Sequence, residues 1–435
     1  MSSRVTSSSP AVNTPSSISQ HWLLWLLTAL AFIVAPLIFS QGFAITLLCQ
    51  MGIMIIFALS YNMLFGQGGM LSFGHAVYSG LGAFFAVHAM NWIGAGKLAL
   101  PVSLLPLVGG VFGALFGVLF GFVTTKKSGT PFAMISLGIG EMVFAASLMF
   151  PGFFGGEGGI TSNRVVGKPF MGINFGSGIQ VYYLVVAWCL AAMVAMYAFS
   201  RTPLGRISNA VRDNPERAEF IGYNTERVRY LVLIVSAFFA GISGGLSAIN
   251  FEIVSAENVS ALRSGGVLFA TFIGGSMFFF GPVIGAIVFV FFSVALSEYT
   301  KAWQFYLGVF FVLMVMFAPG GIASLIMLNL RVAKQRLWRG LSLPYLGVIV
   351  SSLVLLTGII LVVEMGYHFG MERANGTVTK LFGLSLDTGA APAWVLAVAI
   401  LLIGALAFER MRRYFKREWS LIQDRIESAA QAGHD

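Results

Sequence analysis

Residues 201–229 read RTPLGRISNAVRDNPERAEFIGYNTERVR and carry six of the 26 Lys and Arg residues of the chain. Long apolar runs lie on both sides of this segment, at 180–200 and 230–250. Because only 10% of the chain is charged, such a basic segment has to lie outside the lipid. Its excess of arginine indicates the cytoplasmic side of a membrane. This arrangement predicts an all-α fold, a bundle of transmembrane helices joined by a cytoplasmic loop.

The inner part of this loop is predicted to form a short helix over residues 215–221. Asp213 or Asn214 can serve as the N-cap, and Pro215 suits the first helical position. The acidic side chains that follow Pro215 would stabilise the helix, because they lie near the positive end of its dipole. Gly222 can adopt the left-handed conformation that ends a helix. We therefore expect a capped helix held out on the cytoplasmic face.

Composition supports a membrane protein. Of the 435 residues, 57% are hydrophobic, and the mean hydropathy is +0.85. A soluble protein does not carry so much apolar sequence in long uninterrupted runs. A β-barrel is excluded because its strands would alternate with a period of two. The net charge of +9 does not indicate nucleic-acid binding, since the basic residues cluster at the ends of apolar runs, where they orient helices.

The apolar runs predict about 11 to 12 membrane segments. The run at 266–280 is short and ends in Phe280-Gly281-Pro282, so we expect a half-helix or a re-entrant segment there. Counting outward from the basic loop places both termini in the cytoplasm and the loops at 151–179, 251–264 and 364–391 outside. The runs lie at 22–40, 43–64, 70–90, 101–124, 131–150, 180–200, 230–250, 266–280, 281–297, 304–330, 343–363 and 392–408.

Four regions follow from this pattern. Residues 1–20 are polar and Ser-rich, and we expect a disordered cytoplasmic tail. Residues 21–330 form the predicted transmembrane core, which includes the loop at 201–229. Residues 331–408 form an extension with two further transmembrane segments, and residues 409–435 a basic cytoplasmic tail.

The glycine-rich segment GQGGMLSFGHAVYSGLG at 66–82 has two interpretations. One is close helix packing, in which small residues let backbones approach. The other is an unwound or re-entrant element that lines a solute path. His75 taken alone is more typical of a hydrogen-bonded interior histidine, and no second metal ligand lies at suitable spacing. The candidate path residues here are Gln67, Gly68, Gly69, Ser72 and His75.

Three further positions are candidates for a solute path. Glu141 lies about halfway along the run at 131–150, where an ionisable residue indicates either function or a buried pairing. Gly274 and Gly275 lie in a segment that loosely repeats the glycines at 68–74, which leaves an internal repeat open.

The outside segment FGGEGGIT at 154–161 cannot be a helix interior. It is either a flexible linker or part of the outer mouth of a path. The candidate mouth residues are Gly155, Gly156, Glu157, Gly158 and Gly159.

Catalytic motifs are missing from the sequence. There is no HExxH motif and no phosphate-binding GxxxxGK[ST] loop, so an enzyme is not expected and the energy for any transport must come from elsewhere. Cys49 and Cys189 lie within predicted spans and are interpreted as small packing residues rather than metal ligands.

Five segments, taken together, resemble the LivM-type permease subunit of branched-chain amino acid ABC importers. They cover roughly residues 43–330 and, in order, read GQGGMLSFGHAVYSGLGAF, FGGEGGITS, GRISNAVRDNPERAEFIGYNTERVRYLVLIVSAFFAGISGGLSA, FIGGSMFFFGPVIGAIV and FAPGGIASL. Residues from about 340 onward extend beyond the part that can be matched, which leaves their role open.

The resemblance implies an importer of the bacterial inner membrane with several partners. These are a second homologous permease, two cytoplasmic subunits that carry ATP and Mg, and a periplasmic binding protein. No cofactor is expected on this chain itself. The loop matching 205–229 would dock on the ATPase, with the contact residues Arg206, Asp213, Asn214, Pro215, Glu216, Arg217, Glu219 and Gly222.

The resemblance implies a branched-chain or related amino acid as the solute, and leaves urea or short amides open. A self-contained secondary carrier is the alternative from another class, with Glu141 as its one clear candidate for ion coupling. A structural or sensory membrane protein would need a soluble signalling domain, which these residues do not encode.

Overall fold

A computed structural model describes residues 17–167, 174–334, 338–372, 378–381 and 384–432. Over these residues, eight helices are long and apolar enough to cross a membrane, or nine if one bent pair is a single span. This confirms the predicted bundle of transmembrane helices. The helices are α1 Ser17–Ile38, α2 Gly42–Asn62, α3 Ala76–Gly94, α4 Leu105–Thr124, α5 Thr130–Met149, α6 Pro151–Phe154, α7 Gly178–Arg201, α8 Pro203–Asp213, α9 Pro215–Phe220, α10 Thr225–Phe251, α11 Ala261–Gly274, α12 Gly281–Val290, α13 Trp303–Phe317, α14 Gly321–Lys334, α15 Trp338–Tyr367 and α16 Ala391–Ala432.

Four short strands, which the sequence did not predict, form two antiparallel pairs. The first pair is β1 Ile160–Thr161 with β2 Ile253–Val254, and the second is β3 Val378–Leu381 with β4 Leu384–Asp387. The chain divides into two compact units, unit 1 up to Thr271 and unit 2 from Phe272. The proposed boundary at residue 330 stays a prediction. Residues 1–16 of the expected disordered tail lie outside the described residues, and α1 begins at Ser17.

Unit 1 is built around α10, which packs against α2, α3 and α4. Glycines bring these helices together backbone to backbone. A Cβ atom placed on Gly241 would lie 2.1 Å from Gly109 O, and one placed on Gly244 would lie 1.8 Å from Ser79 O. Such contacts leave no room for a methyl group. The helices therefore associate through small residues, as is typical of membrane interiors.

The glycine-rich segment at 66–82 is unwound over its first half and packs as a helix over its second, and its role in a solute path stays a prediction. After α2 the chain forms a π-helical turn, Met63–Gln67, and then residues 68–75 are non-helical until α3 begins. We call residues 66–75 the break. The second half belongs to α3, where Gly80 and Gly82 lie against the backbones of Asn258 and Gly241. The first half is thus unwound and the second half is a packing surface.

The structure confirms one predicted short helix and corrects one predicted span. The helix predicted in 266–280 ends at Gly274, as α11, and α12 begins only at Gly281. The apolar run at 304–330 was expected to be one span, but α13 and α14 differ in direction by 51°. The helix stops because Pro319 has no N–H to continue the hydrogen-bond ladder. Gly321 then takes a φ of +70°, which allows the turn.

The two helices of the extension, α15 and α16, pack against each other through glycines. A Cβ on Gly358 would lie 2.5 Å from Leu401 Cα, and one on Gly404 would lie 2.6 Å from Leu355 Cα. The two expected transmembrane segments of the extension are therefore an antiparallel hairpin. Helix α16 continues without interruption to Ala432, so the basic segment from residue 409 begins inside a helix.

Candidate functional site

The basic loop at 201–229 is folded into two helices, of which only the second was predicted. We call residues 202–224, which hold α8 and α9, the basic arm. Helix α8 starts at Pro203, and its N-cap Thr202 accepts a hydrogen bond from Gly205 N at 3.2 Å. Its buried face is formed by Gly205, Ser208 and Val211. The arm is thus packed against the bundle along α8.

Helix α9 confirms the predicted short capped helix. Asn214 Oδ1 accepts a hydrogen bond from Arg217 N at 2.9 Å, and Gly222 ends the segment with a φ of +92°. Asp213 does not act as the cap, because its carboxylate forms an ion pair with Arg212 at 2.8 Å. Three other predicted contact residues, Arg206, Glu216 and Arg217, are exposed on the arm.

The end of α9 carries an exposed apolar group that the sequence interpretation missed. The exposed fractions are 89% for Phe220, 64% for Ile221 and 47% for Tyr223. We call these three residues the apolar tip. The loop behind them is held in place, because Thr225 Oγ1 donates to Glu219 Oε1 at 2.7 Å. Three large apolar residues within an otherwise charged loop were the signal that could have revealed this surface.

The basic arm contacts the break directly, which joins two motifs that are distant in sequence. Arg212 Nη1 donates a hydrogen bond to Gly66 O, and Ser208 Oγ donates to Gln67 O at 3.3 Å. Gly69, with a φ of +66°, lies so close to the Arg212 side chain that a Cβ would be 2.7 Å from Arg212 Cγ. Helix α8 is therefore hydrogen-bonded and packed directly against the break.

The other end of the break is bonded to α5. Phe73 N donates to Ser136 Oγ at 3.0 Å, and a Cβ on Gly74 would lie 2.1 Å from Ser136 O. The glycine at 74 is required because the two backbones touch. Contacts thus run from α8 through the break to α5 without a gap.

His75 is an interior residue, as its residue type suggested. It is fully buried, its Nε2 lies 3.1 Å from Ser60 Oγ, and its ring stacks on Phe57 with centroids 5.5 Å apart. Ser72 and Gly68 are also buried, whereas Gly69 is exposed next to Arg212. The predicted path residues of the break therefore form one packed element.

Glu141 is exposed on α5, in the middle of the helix. Among the described residues it has no hydrogen bond and no ion pair, so this chain itself does not provide the buried pairing that was the alternative. A Cβ on Gly138 would have nothing within 4 Å, so the fold of this chain does not require a glycine there. We call the exposed stripe around these two residues the α5 face; its members are Met134, Gly138, Glu141, Ala145 and Leu148.

The outer glycine cluster is an ordered turn. A Cβ on Gly155 would lie 2.2 Å from Gly159 O, and one on Gly159 would lie 2.5 Å from Val254 O in β2. Both residues have positive φ angles, +76° and +68°, as does Gly156 with +62°. The flexible-linker alternative is therefore wrong, because close contacts and backbone conformation both require glycine. Glu157 and Gly158 are exposed at its tip.

Gly274 and Gly275 belong to a separate cluster in unit 2. A Cβ on Gly274 would lie 2.0 Å from Gly281 O, and one on Gly275, where φ is +105°, would lie 2.2 Å from Gly320 O. These residues hold the start of α12 against the turn before α14. Over the described part of the chain, no group of three or more His, Cys, Asp or Glu residues could hold a metal ion. Cys49 and Cys189 are buried free thiols.

Residues 43–319, which include the break, the basic arm and the outer turn, match the family described as the permease component of the branched-chain amino acid transport system. The chain belongs to this family.

Two relatives match this permease over most of their length. The high-affinity branched-chain amino acid permease LivM of Salmonella typhimurium is 26% identical over 334 residues, 72% of this chain and 77% of that protein. LivM of Escherichia coli is 25% identical over 338 residues, with the same two shares. The fructose import permease FrcC of Rhizobium meliloti is 25% identical over 209 residues, 46% of this chain and 57% of that protein. No solved structure matches the chain.

The family fixes the class of protein. The chain is a permease component of an ABC transporter and a multi-pass protein of the inner membrane. Its relatives are transport permeases and not enzymes, and in this family ATP binding belongs to partner ATPases. The matched region ends at residue 319, before α14 and the hairpin of α15 and α16.

Proposed function

We propose that this permease takes up branched-chain or related amino acids. It would pair with a second homologous permease, two cytoplasmic ATP-binding subunits that carry ATP and Mg, and a periplasmic binding protein that delivers the solute. Support comes from the two LivM relatives, whose names carry this solute class and whose match covers more of the chain than that of the fructose permease. Urea and short amides are the second solute class to be tested.

The structural observation that supports an ATPase partner is the apolar tip on the basic arm. A surface with Phe220 at 89% and Ile221 at 64% exposure is unfavourable in water, and exposed apolar clusters of this kind mark protein interfaces. The same arm also carries exposed charged residues, a residue type that is typical of an interface rim. We assign the tip to a groove of the ATPase subunit, with α9 as the element that the ATPase holds.

The same structure supports a route for the movement. The ATPases would shift α9 and α8 as a rigid body on ATP binding. Ser208 and Arg212 would transfer the shift to the break through their hydrogen bonds to the backbone at Gln67 and Gly66. Ser136 would then transfer it to α5. In this proposal Gln67, Gly68, Gly69, Ser72 and His75 move as one packed element.

We assign the wall of the solute path to the α5 face, opposite the partner permease. A charged residue at the middle of a lipid-facing helix costs about 2.5–3.5 kcal/mol or more, so Glu141 is unfavourable against lipid. The open space at Gly138 leaves room for a solute or a close neighbour. The outer turn at 155–159 would contact the binding protein, because its tip is rigid and exposed.

The test is a double substitution in the apolar tip, Phe220→Ser with Ile221→Ser. Burying a Phe side chain contributes about 1.5–3 kcal/mol, so its loss should weaken ATPase binding by about tenfold or more. We expect co-purification of the ATPase and ATP-driven uptake of leucine to be lost, while membrane insertion is retained. Tyr299→Ser is the matched control, because Tyr299 is also 89% exposed but lies outside the arm. Normal ATPase co-purification and uptake in the double variant would refute the proposal.

A further inference from the structure

The charged residue Arg263, near the start of α11, lies within the helix bundle of unit 1. The sequence pattern placed it in an outside loop, 251–264, but the contacts of this segment are with helices. Its neighbour Ser264 is buried and accepts a hydrogen bond from Ala76 N at 3.0 Å, at the start of α3. A Cβ atom placed on Gly80 would lie 2.5 Å from the backbone oxygen of Asn258, a few residues before Arg263. The start of α11 and the segment just before it therefore pack within the bundle.

The guanidinium of Arg263 contacts neutral groups. Its Nη1 donates to Asn258 Oδ1 at 2.5 Å, and its Nη2 lies 3.5 Å from Ser247 Oγ on α10. The ring centroid of Phe57 on α2 is 6.0 Å from its Cζ. Among the described residues no carboxylate forms an ion pair with it. An arginine has five N–H donors, so most of them remain open here.

Arg164, another arginine of unit 1, is held differently. The side chain of Arg164 donates hydrogen bonds to the carbonyl oxygens of Phe175, Asn250 and Gly176. These bonds hold the outer segment in place. Arg263 has no comparable set of backbone acceptors. An uncompensated charge inside a bundle is strongly unfavourable. The open donors and the partial exposure of Arg263 therefore indicate that an anion completes the site.

We infer that Arg263 binds the carboxylate group of the transported amino acid. The inference rests on the proposed function and adds to it the group of the solute that this chain recognises. A guanidinium presents a planar pair of N–H donors that matches the two oxygens of a carboxylate. Every α-amino acid carries that carboxylate, whatever its side chain. The site would thus hold the common part of the solute.

The experiment uses the purified complex of permeases and ATPases without the binding protein, and measures binding of radiolabelled leucine by equilibrium dialysis. Unlabelled 4-methylpentanoate, which keeps the carboxylate and side chain of leucine but lacks the amino group, should compete. Unlabelled 3-methylbutylamine, which lacks the carboxylate, should not. Arg263→Gln should weaken leucine binding by about tenfold or more, because a charged hydrogen-bonded pair is lost. Ser247→Ala, which leaves the guanidinium in place, should change it by less than about twofold.

Three results would overturn the inference. The first is absence of leucine binding to the wild-type complex at millimolar concentration. The second is competition by the amine that equals competition by the carboxylate. The third is leucine binding by Arg263→Gln at wild-type affinity, which is the result expected if Arg263 pairs with an acidic residue of the partner permease. Because the competition uses the wild-type chain, it decides whether the complex recognises the carboxylate even where Arg263→Gln fails to assemble.

Failure of the inference and failure of the proposed function give different results. If ATP-driven leucine uptake by the complex is intact but the carboxylate does not compete, only the Arg263 site is wrong. If no ATPase co-purifies with the permease, or if uptake of leucine does not depend on ATP, the proposed function itself is wrong.

Discussion

Substitution of Arg212 by Ala should uncouple ATP hydrolysis from transport. Arg212 is the side chain of α8 that donates to Gly66 O in the break, and its Cγ packs on Gly69. A hydrogen bond from a charged donor contributes about 1.5–3 kcal/mol when buried. Because 32% of the Arg212 side chain is exposed, we reduce this to about 1–1.4 kcal/mol. That loss corresponds to a factor of about five to ten in the equilibrium that links α8 to the break.

The assay is uptake of radiolabelled leucine into proteoliposomes, measured together with ATP hydrolysis in the same sample. Arg212→Ala should lower the leucine taken up per ATP by about five- to tenfold. Co-purification of the ATPase should be unchanged, since the apolar tip is intact. Arg227→Ala is the matched control, because Arg227 is an exposed arginine of the same basic loop at the start of α10. An unchanged ratio in Arg212→Ala, or an equal loss in Arg227→Ala, would show that this contact does not carry the movement.

Two further predictions concern packing, and both are measured as the temperature at which the purified chain loses its gel-filtration peak. Gly244→Ala should lower this temperature, because a Cβ there would lie 1.8 Å from a carbonyl oxygen of α3 and such overpacking costs about 1–3 kcal/mol. The control is Gly138→Ala, at a helical glycine with open space, which should leave the temperature unchanged or raise it. Ser136→Ala should also lower it, since the N–H of Phe73 loses its acceptor at a cost of about 1–3 kcal/mol. Ser147→Ala is the control, because that hydroxyl bonds only within its own helix; equal behaviour within either pair would contradict the packing argument.

Local features were predicted well, because they depend on neighbouring residues. The cap at Asn214 and the left-handed Gly222 follow from hydrogen bonds over three residues and from the backbone freedom of glycine. The bend between α13 and α14 was missed, since hydropathy alone does not register a proline that breaks a continuously apolar run. Helix α8 was missed because its polar residues resemble a loop until Ser208 and Val211 are buried by the bundle.

The sequence by itself determined that this chain is a polytopic helical permease of the branched-chain amino acid family. Long apolar runs, the basic loop and five ordered motifs suffice for that, because lipid requires helices of a certain length and the motifs are local. Only the tertiary structure decided which motifs touch. Arg212 and Gly66 are 146 residues apart, and no periodicity relates them. The tertiary structure likewise places Arg263 beside Phe57 and not in the expected outer loop. Helix packing, and not hydropathy, decides where a charged side chain lies.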